Sequence, residues 1–169
     1  MLRKYKDTDF ELLQTWITDA DLQFRFSGPD WQFPLTRTVL ENYISAHPQR
    51  QFYIGVLEEG EPYAFGEIIS GDANSPRLGR LLVGKEEQRG KGLGQVFVKE
   101  LVAECIRIHK PEQIFLFVFE ENEMGITCYK KCGFEFCGEE HFLVDTHGRQ
   151  LKILKMVLDL RRMIDDLGS

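Results

Sequence analysis

The sequence predicts a mixed α/β (α+β) domain in which a single layer of strands carries helices. Three observations predict it. Short apolar or alternating runs of strand length recur along the chain, from Leu2–Lys6 to Gln150–Leu158. Between them lie segments with apolar residues at helical spacing, the longest from about Leu93 to His109. A glycine-rich, basic loop, Gln88-Arg89-Gly90-Lys91-Gly92-Leu93-Gly94, joins a strand to that long helix. The 169 residues are enough for one domain with a substantial core, so residues 1–169 are expected to form a single unit.

The elements follow in order. Leu2–Lys6 is a first strand. Asp7-Thr8-Asp9 supplies capping oxygens, and Phe10, Leu13, Trp16 and Ile17 give one apolar face, so a helix is expected from about Asp9 to Asp19. Gly28-Pro29 and Pro34 break regular structure in Phe24–Leu35, which reads as an aromatic loop. Its aromatics either cover the edge of the core or form a substrate-facing lid, in which Phe26, Asp30 and Trp31 would meet the substrate. Thr36 or Thr38 starts a second helix, ended by His47-Pro48. Gln51–Leu57 and Tyr63–Ile69 form a hairpin around Glu58–Glu61, and Arg77–Val83 is the next strand, with Gly79 a possible bulge or close-approach point. The long helix stops before Pro111. Gln113–Phe119 is strongly apolar and reads as a central strand. Asn122–Cys132 is a short helix closed by Gly133, Phe134–Val144 and Gln150–Leu158 form a closing hairpin, and Leu160–Leu167 adds a helical turn or two.

Composition narrows the function classes. A net charge of −6 and a pI near 5.3 argue against nucleic-acid binding, which needs a basic face, and suit a cationic substrate. No apolar run approaches the roughly 20 residues of a membrane span. Met1-Leu-Arg-Lys-Tyr-Lys6 is charged without an apolar core after it, so it does not read as a signal peptide, and a cytoplasmic protein is expected. Cysteines 105, 128, 132 and 137 show neither a Cys-x-x-Cys pair nor a flanking His cluster; they read as reduced, mostly buried thiols, with no metal.

The glycine loop carries the chemistry. Glycines let a backbone approach a phosphate closely, the first free N–H groups of the following helix point at it, and Arg89 and Lys91 add positive charge. A P-loop would need Ser or Thr after Gly-Lys, where Gly92 stands; a dinucleotide fingerprint fails because the glycines fall at 90, 92 and 94. The run Arg89-Gly90-Lys91-Gly92-Leu93-Gly94 resembles the pyrophosphate loop of the GNAT acetyltransferases. Downstream, Val118-Phe119-Glu120-Glu121-Asn122 and Gly125-Ile-Thr-Cys-Tyr129-Lys-Lys-Cys-Gly133-Phe134 resemble that family's second signature. Asn122 and Tyr129 stand about two helical turns apart and can face one groove. The N-terminal helices with Trp16 resemble the branch containing ribosomal-protein alanine N-acetyltransferases and small-molecule relatives.

The resemblance implies a mixed, mostly antiparallel sheet of about seven strands flanked by about four helices, with Arg77–Val83 and Gln113–Phe119 splayed apart in the middle. It implies acetyl-CoA as co-substrate: the pantetheine arm pairs with the backbone of Leu81, Leu82 and Val83, the residues Gln88 to Gly94 hold the pyrophosphate, and Asn122 hydrogen-bonds the pantetheine. The segment from Val83 to Gly94 is one residue longer than the family's commonest spacing, which a bulge at Gly84 would absorb. Tyr129 matches the tyrosine beside the thioester sulfur, where a phenol can protonate the leaving thiolate. Gly125 replaces the family's usual Ala. The implied reaction is direct attack of a primary amine, of a small molecule or peptide, on the acetyl thioester. Glu67, on the strand beside Arg77–Val83, is the best candidate base, with Asp72, Glu86 and His141 behind it. Neither nucleic acid nor membrane is expected as a partner; a homodimer is compatible. Two other classes stay open: a non-catalytic acyl-CoA sensor on the same fold, and an oxidoreductase holding a dinucleotide at the loop.

Overall fold

The computed structural model describes residues 1–162. Seven strands form one sheet in the order β1-β2-β3-β4-β5-β7-β6. They are β1 (Leu2–Lys4), β2 (Arg50–Val56), β3 (Pro62–Ile69), β4 (Arg77–Val83), β5 (Gln113–Phe119), β6 (Glu135–Val144) and β7 (Gln150–Asp159). Every pairing is antiparallel except β4 with β5. The helices are α1 (Phe10–Trp16), α2 (Ala20–Ser27), α3 (Arg37–Ala46), α4 (Leu93–His109) and α5 (Glu123–Lys131). Most of the expected turns over Leu160–Leu167 lie outside the described residues. Among the described residues no helix is long and apolar enough to cross a membrane.

The N-terminal region differs from expectation. The first helix stops at Trp16, and Phe24 and Phe26 belong to a helix rather than a loop. Asp19 is the reason: in extended conformation, its carboxylate accepts the N–H of Leu22 and caps α2 instead of ending α1. Three helices, not two, therefore precede β2, and the irregular stretch begins only at Gly28, at φ 65°.

The sheet buries apolar side chains on both faces. One layer packs Phe97, Val98, Leu101 and Cys105 of α4 onto Ile68, Leu78, Ile114, Leu116 and Met156. The other packs Phe10, Leu13 and Trp16 of α1 and Leu40 and Tyr43 of α3 onto Phe52, Ile54, Phe65 and Leu82. Strand side chains alternate between faces, yet Leu78 belongs to the first layer and Leu82 to the second. An extra residue in β4 explains it. Phe65 pairs with Leu82 but Glu67 with Gly79, so two residues of β4, Arg80 and Leu81, oppose Gly66 alone. Arg80 sits at φ 48° in this bulge. A bulge bends and twists its strand, and here β4 parts from its parallel neighbour. The β4–β5 ladder holds only at Arg77↔Phe115 and Leu78↔Leu116, while β4 continues along β3 and β5 along β7. The expected splay is present, opened by Arg80. The irregularity expected at Gly84 is absent: Gly84 N–H continues the ladder to Tyr63 C=O at 2.8 Å, and a 3₁₀ turn over Glu86–Gln88 takes up the loop's length.

Candidate active site

Two adjoining structures make up the site: the loop between β4 and α4, and a cavity opened by the splay. The loop is drawn against the strand it leaves. Arg89 donates from Nε to Val83 C=O and from Nη2 to Gly84 C=O, both at 2.9 Å. Its guanidinium, expected to meet phosphate, instead ties the loop to β4 and occupies a Val83 carbonyl expected to face the pantetheine. Lys91 is left as an exposed cation beside the loop. Gly90 and Gly92 adopt φ 72° and 83°, a region that side chains disfavour. Gly92 caps α4 without any side-chain hydrogen bond, so the first N–H groups of α4, from Leu93 and Gly94 on, point outward unpaired.

Space in front of the loop is open. A side chain added at Gly92 would meet nothing within 4 Å, and one at Gly90 only Met124 Cε at 3.9 Å. An open concavity of backbone donors at a helix N-terminus fits a pyrophosphate, so Gly90, Lys91, Gly92, Leu93 and Gly94 suit that end of CoA. Gln88 lies half-buried in the preceding turn, its Oε1 without a partner.

The cavity, of about 490 Å³, lies in the split. Leu78 to Leu81 of β4 and Phe117 to Phe119 of β5 form two walls, Asn122 and Tyr129 come from the α5 side, Arg25 to Asp30 from the α2 end, and His141 to Leu143 from β6. Leu82 does not line it, because the bulge turns that side chain into the α1–α3 layer. Asn122 caps α5 through its Oδ1, which accepts Gly125 N–H at 2.9 Å. A Cβ at position 125 would stand 2.5 Å from Asn122 Nδ2. Glycine there makes room for the Asn122 carboxamide. Tyr129 is half-buried and packs edge-on against Phe134, centroids 6.4 Å apart. Burial, with Cys128 and Cys132 beside it, pushes its phenol above the ordinary tyrosine value. A phenol held protonated can serve as a proton donor.

The residues expected to meet the acceptor divide. Phe26 and Asp30 line the cavity. Trp31 does not: it is 3% exposed and packed between Phe26 and Tyr43, centroids at 5.6 and 5.4 Å. Its size and its neighbours draw it into the core.

Glu67 also departs from expectation. It does not line the cavity and is fully buried. Its Oε1 accepts from Nη1 of Arg80 and, at 3.2 Å, from Nη1 of Arg50. Arg80 Nη2 reaches Asp30 at 2.7 Å, and its guanidinium lies 4.7 Å from the Trp31 ring centre and 4.5 Å from that of Tyr43. A buried carboxylate held by two guanidiniums has the geometry of a support for Arg80. Asp72 lies in the β3–β4 loop and Glu86 in the turn after β4, both away from the cavity wall, whereas His141 is on it.

Sequence reasoning missed three charged wall residues: Arg25, Arg77 and Arg80. The signal for Arg80 was present, since a basic residue on one apolar strand and an acidic one on its neighbour are each costly to bury alone. The wall holds three arginines against the single carboxylate of Asp30, the opposite of the cationic preference suggested by net charge. Among the described residues no cluster of His, Cys, Asp and Glu stands close enough to hold a metal ion.

Comparison with known proteins agrees with this geometry. Residues 13–134 match the sequence model of the acetyltransferase (GNAT) family. The chain is 39% identical over 112 residues, 63% of this chain and 73% of the relative, to a spermine/spermidine N(1)-acetyltransferase of Bacillus subtilis (strain 168). Its fold superposes with a TM-score of 0.80 on a spermidine N-acetyltransferase from Vibrio cholerae in complex with CoA and spermine, at 18% identity and 97% coverage of both chains. It superposes with a TM-score of 0.74 on an aminoglycoside acetyltransferase, AAC(6')-Ib, in complex with coenzyme A and kanamycin, at 24% identity, covering 100% of this chain and 99% of that one. The split sheet, the open glycine loop at the head of α4 and the family match over most of the chain lead to one conclusion: the chain belongs to the GNAT family and is an acetyl-CoA-dependent N-acetyltransferase.

Proposed function

We propose that the protein acetylates a primary amine of a small molecule by direct attack, with the donor in the β4–β5 split and the amine entering from the α2–β6 side. The observation that carries this reading is that one cavity joins Tyr129 and Asn122 to Phe26 and Asp30. The N–H groups at the head of α4 take the pyrophosphate, aided by Lys91. The unpaired edge of β4 beyond Leu78, along Gly79 to Leu82, takes the pantetheine amides. Acetyl-CoA, when bound, supplies the reactive thioester. The ammonium loses one proton to water, the freed amine bonds the acetyl carbon as the C–S bond breaks, and Tyr129 gives its proton to the departing sulfur. The second proton shed by the nitrogen on forming the amide passes through water to restore the phenol. Glu67 acts at a remove, by holding Arg80 against the wall.

The names of the relatives support a small-molecule amine as acceptor. Four free cysteines support a reducing, cytoplasmic setting. Exposed Phe136, Phe142 and Val144 on edge strand β6 support pairing of two copies there. Calorimetry with CoA and with NAD, followed by thiol release from acetyl-CoA across an amine panel, tests the central reading. CoA binding and amine-dependent thiol release are expected; NAD binding without CoA binding would overturn it.

A further inference from the structure

We infer that the acceptor amine also carries a carboxylate, bound by the guanidinium of Arg77 in the cavity. This rests on the acetyltransferase reading and adds the chemical class of the acceptor.

The charges of the wall lead there by elimination. Arg25 is half-exposed at the rim and paired with Glu121 at 3.1 Å. Arg80 is charge-paired with Glu67 and Asp30 and lies against the adjoining Trp31 and Tyr43 rings. Asp30, the single carboxylate on the wall, is thereby taken. Arg77 is different. It is half-buried, lies 5.5 Å from the centre of the Phe117 ring, and makes no ion pair with any of the described residues. Nearby, Arg50, Arg77 and Arg80 face only Glu67 and Asp30, so three positive charges meet two negative ones. Burial, then Arg50 and Arg80, pull Arg77 below the ordinary guanidinium value; even so it stays charged. A desolvated cation short of a counter-charge is costly, and an incoming anion removes that cost.

The geometry selects a carboxylate at a distance from the amine. The planar fork of Arg matches a carboxylate with two parallel hydrogen bonds. Arg77 stands at the closed end of the split, where the β4–β5 ladder stops, and Leu81 lines the same cavity farther along. Four residues of strand span about 13 Å, less across a bulge. An acceptor with several methylenes between amine and carboxylate reaches from one to the other; an α-amino acid does not. A polyamine would present ammonium groups to three arginines.

Matched acceptors test this. Thiol release from acetyl-CoA is measured for the whole chain with 6-aminohexanoate, hexylamine and spermidine, in wild type, Arg77→Gln and Arg77→Lys. In wild type, kcat/KM for 6-aminohexanoate is expected to exceed that for hexylamine by about tenfold or more, with spermidine no better than hexylamine. Arg77→Gln should bring the ratio close to one, and Arg77→Lys should restore part of it. Should the variants misfold, hexanoate inhibition of wild-type turnover decides: competition with the amine is expected. Spermidine as the best acceptor, a ratio that survives Arg77→Gln, or no competition by hexanoate would overturn the inference and leave the acetyltransferase reading intact. Failure to bind CoA would overturn that reading instead.

Discussion

Glu67 and Tyr129 are two titratable residues whose neighbours assign them opposite work. Glu67 has no exposure and two guanidinium partners, so Glu67→Gln leaves buried Arg80 with Asp30 alone and half-buried Arg50 with no ion pair among the described residues. Breaking a buried pair in this way is expected to cost about 3 kcal/mol, seen as a lower urea midpoint. The pH profile of kcat should keep its shape, because a positioning residue contributes no proton step; loss of the profile's acid limb in a stable variant would make Glu67 a base after all. Tyr129 is the reverse case. Tyr129→Phe removes a hydroxyl without a hydrogen-bond partner among the described residues, so stability should hold and acetyl-CoA affinity stay the same, while kcat falls by about a hundredfold, the usual worth of a positioned acid. Because burial raises its phenol, the acid form persists to above the ordinary tyrosine value near 10, and wild-type kcat should show no loss of this acid through pH 9.

At the scale of elements, β4 decides how much the sequence discloses. Its neighbours, the glycine loop and α4 were legible because local chemistry determines them: glycines at positive φ, a helix with a continuous apolar face, a proline just past its end. The splay itself was legible only through family resemblance. Its cause, one extra residue at Arg80, is marked locally only by Gly79, a possible bulge point in Arg77–Val83, because the slip itself exists only against β3. Trp31 and Glu67 were misplaced for a related reason, as both are defined by side chains distant in the chain. Gly84 shows the same dependence. It reads as the place of a bulge, yet its missing side chain admits the Trp16 indole of α1: a Cβ there would lie 2.2 Å from the ring. The ring is buried and cannot move aside freely. Gly84→Ala is therefore expected to destabilise the protein by about 2 kcal/mol through overpacking and to alter Trp16 fluorescence. Unchanged stability would show that α1 is free to shift from the head of the loop.

The two apolar layers on either side of the sheet also set how the whole molecule answers to alkali. Burial, helped by nearby acidic residues, pushes Tyr5, Tyr53 and Tyr63 up to about 12, and burial likewise raises the Cys105 thiol to about 12. Each is neutral when protonated, so the native state resists the ionisation that the unfolded chain undergoes near pH 10, or near 9 for the thiol. The folded values lie above the unfolded ones. The stabilisation they describe is accordingly complete below pH 9 and is lost as pH rises towards 12. Tyr5 packs with the α1–α3 layer, and Tyr53, Tyr63 and Cys105 with the α4 layer. Both faces weaken in the same window, which predicts one cooperative alkaline transition in which fluorescence, circular dichroism and phenolate absorbance coincide. Tyr63 isolates the effect. Its hydroxyl is buried without a partner among the described residues, so Tyr63→Phe removes a polar atom that gains nothing at neutral pH. Its urea midpoint at pH 7 should equal or exceed that of wild type, and the decline between pH 10 and 12 should be shallower by one proton. An equally steep decline would mean that Tyr63 ionises no differently in the folded protein than in the unfolded one.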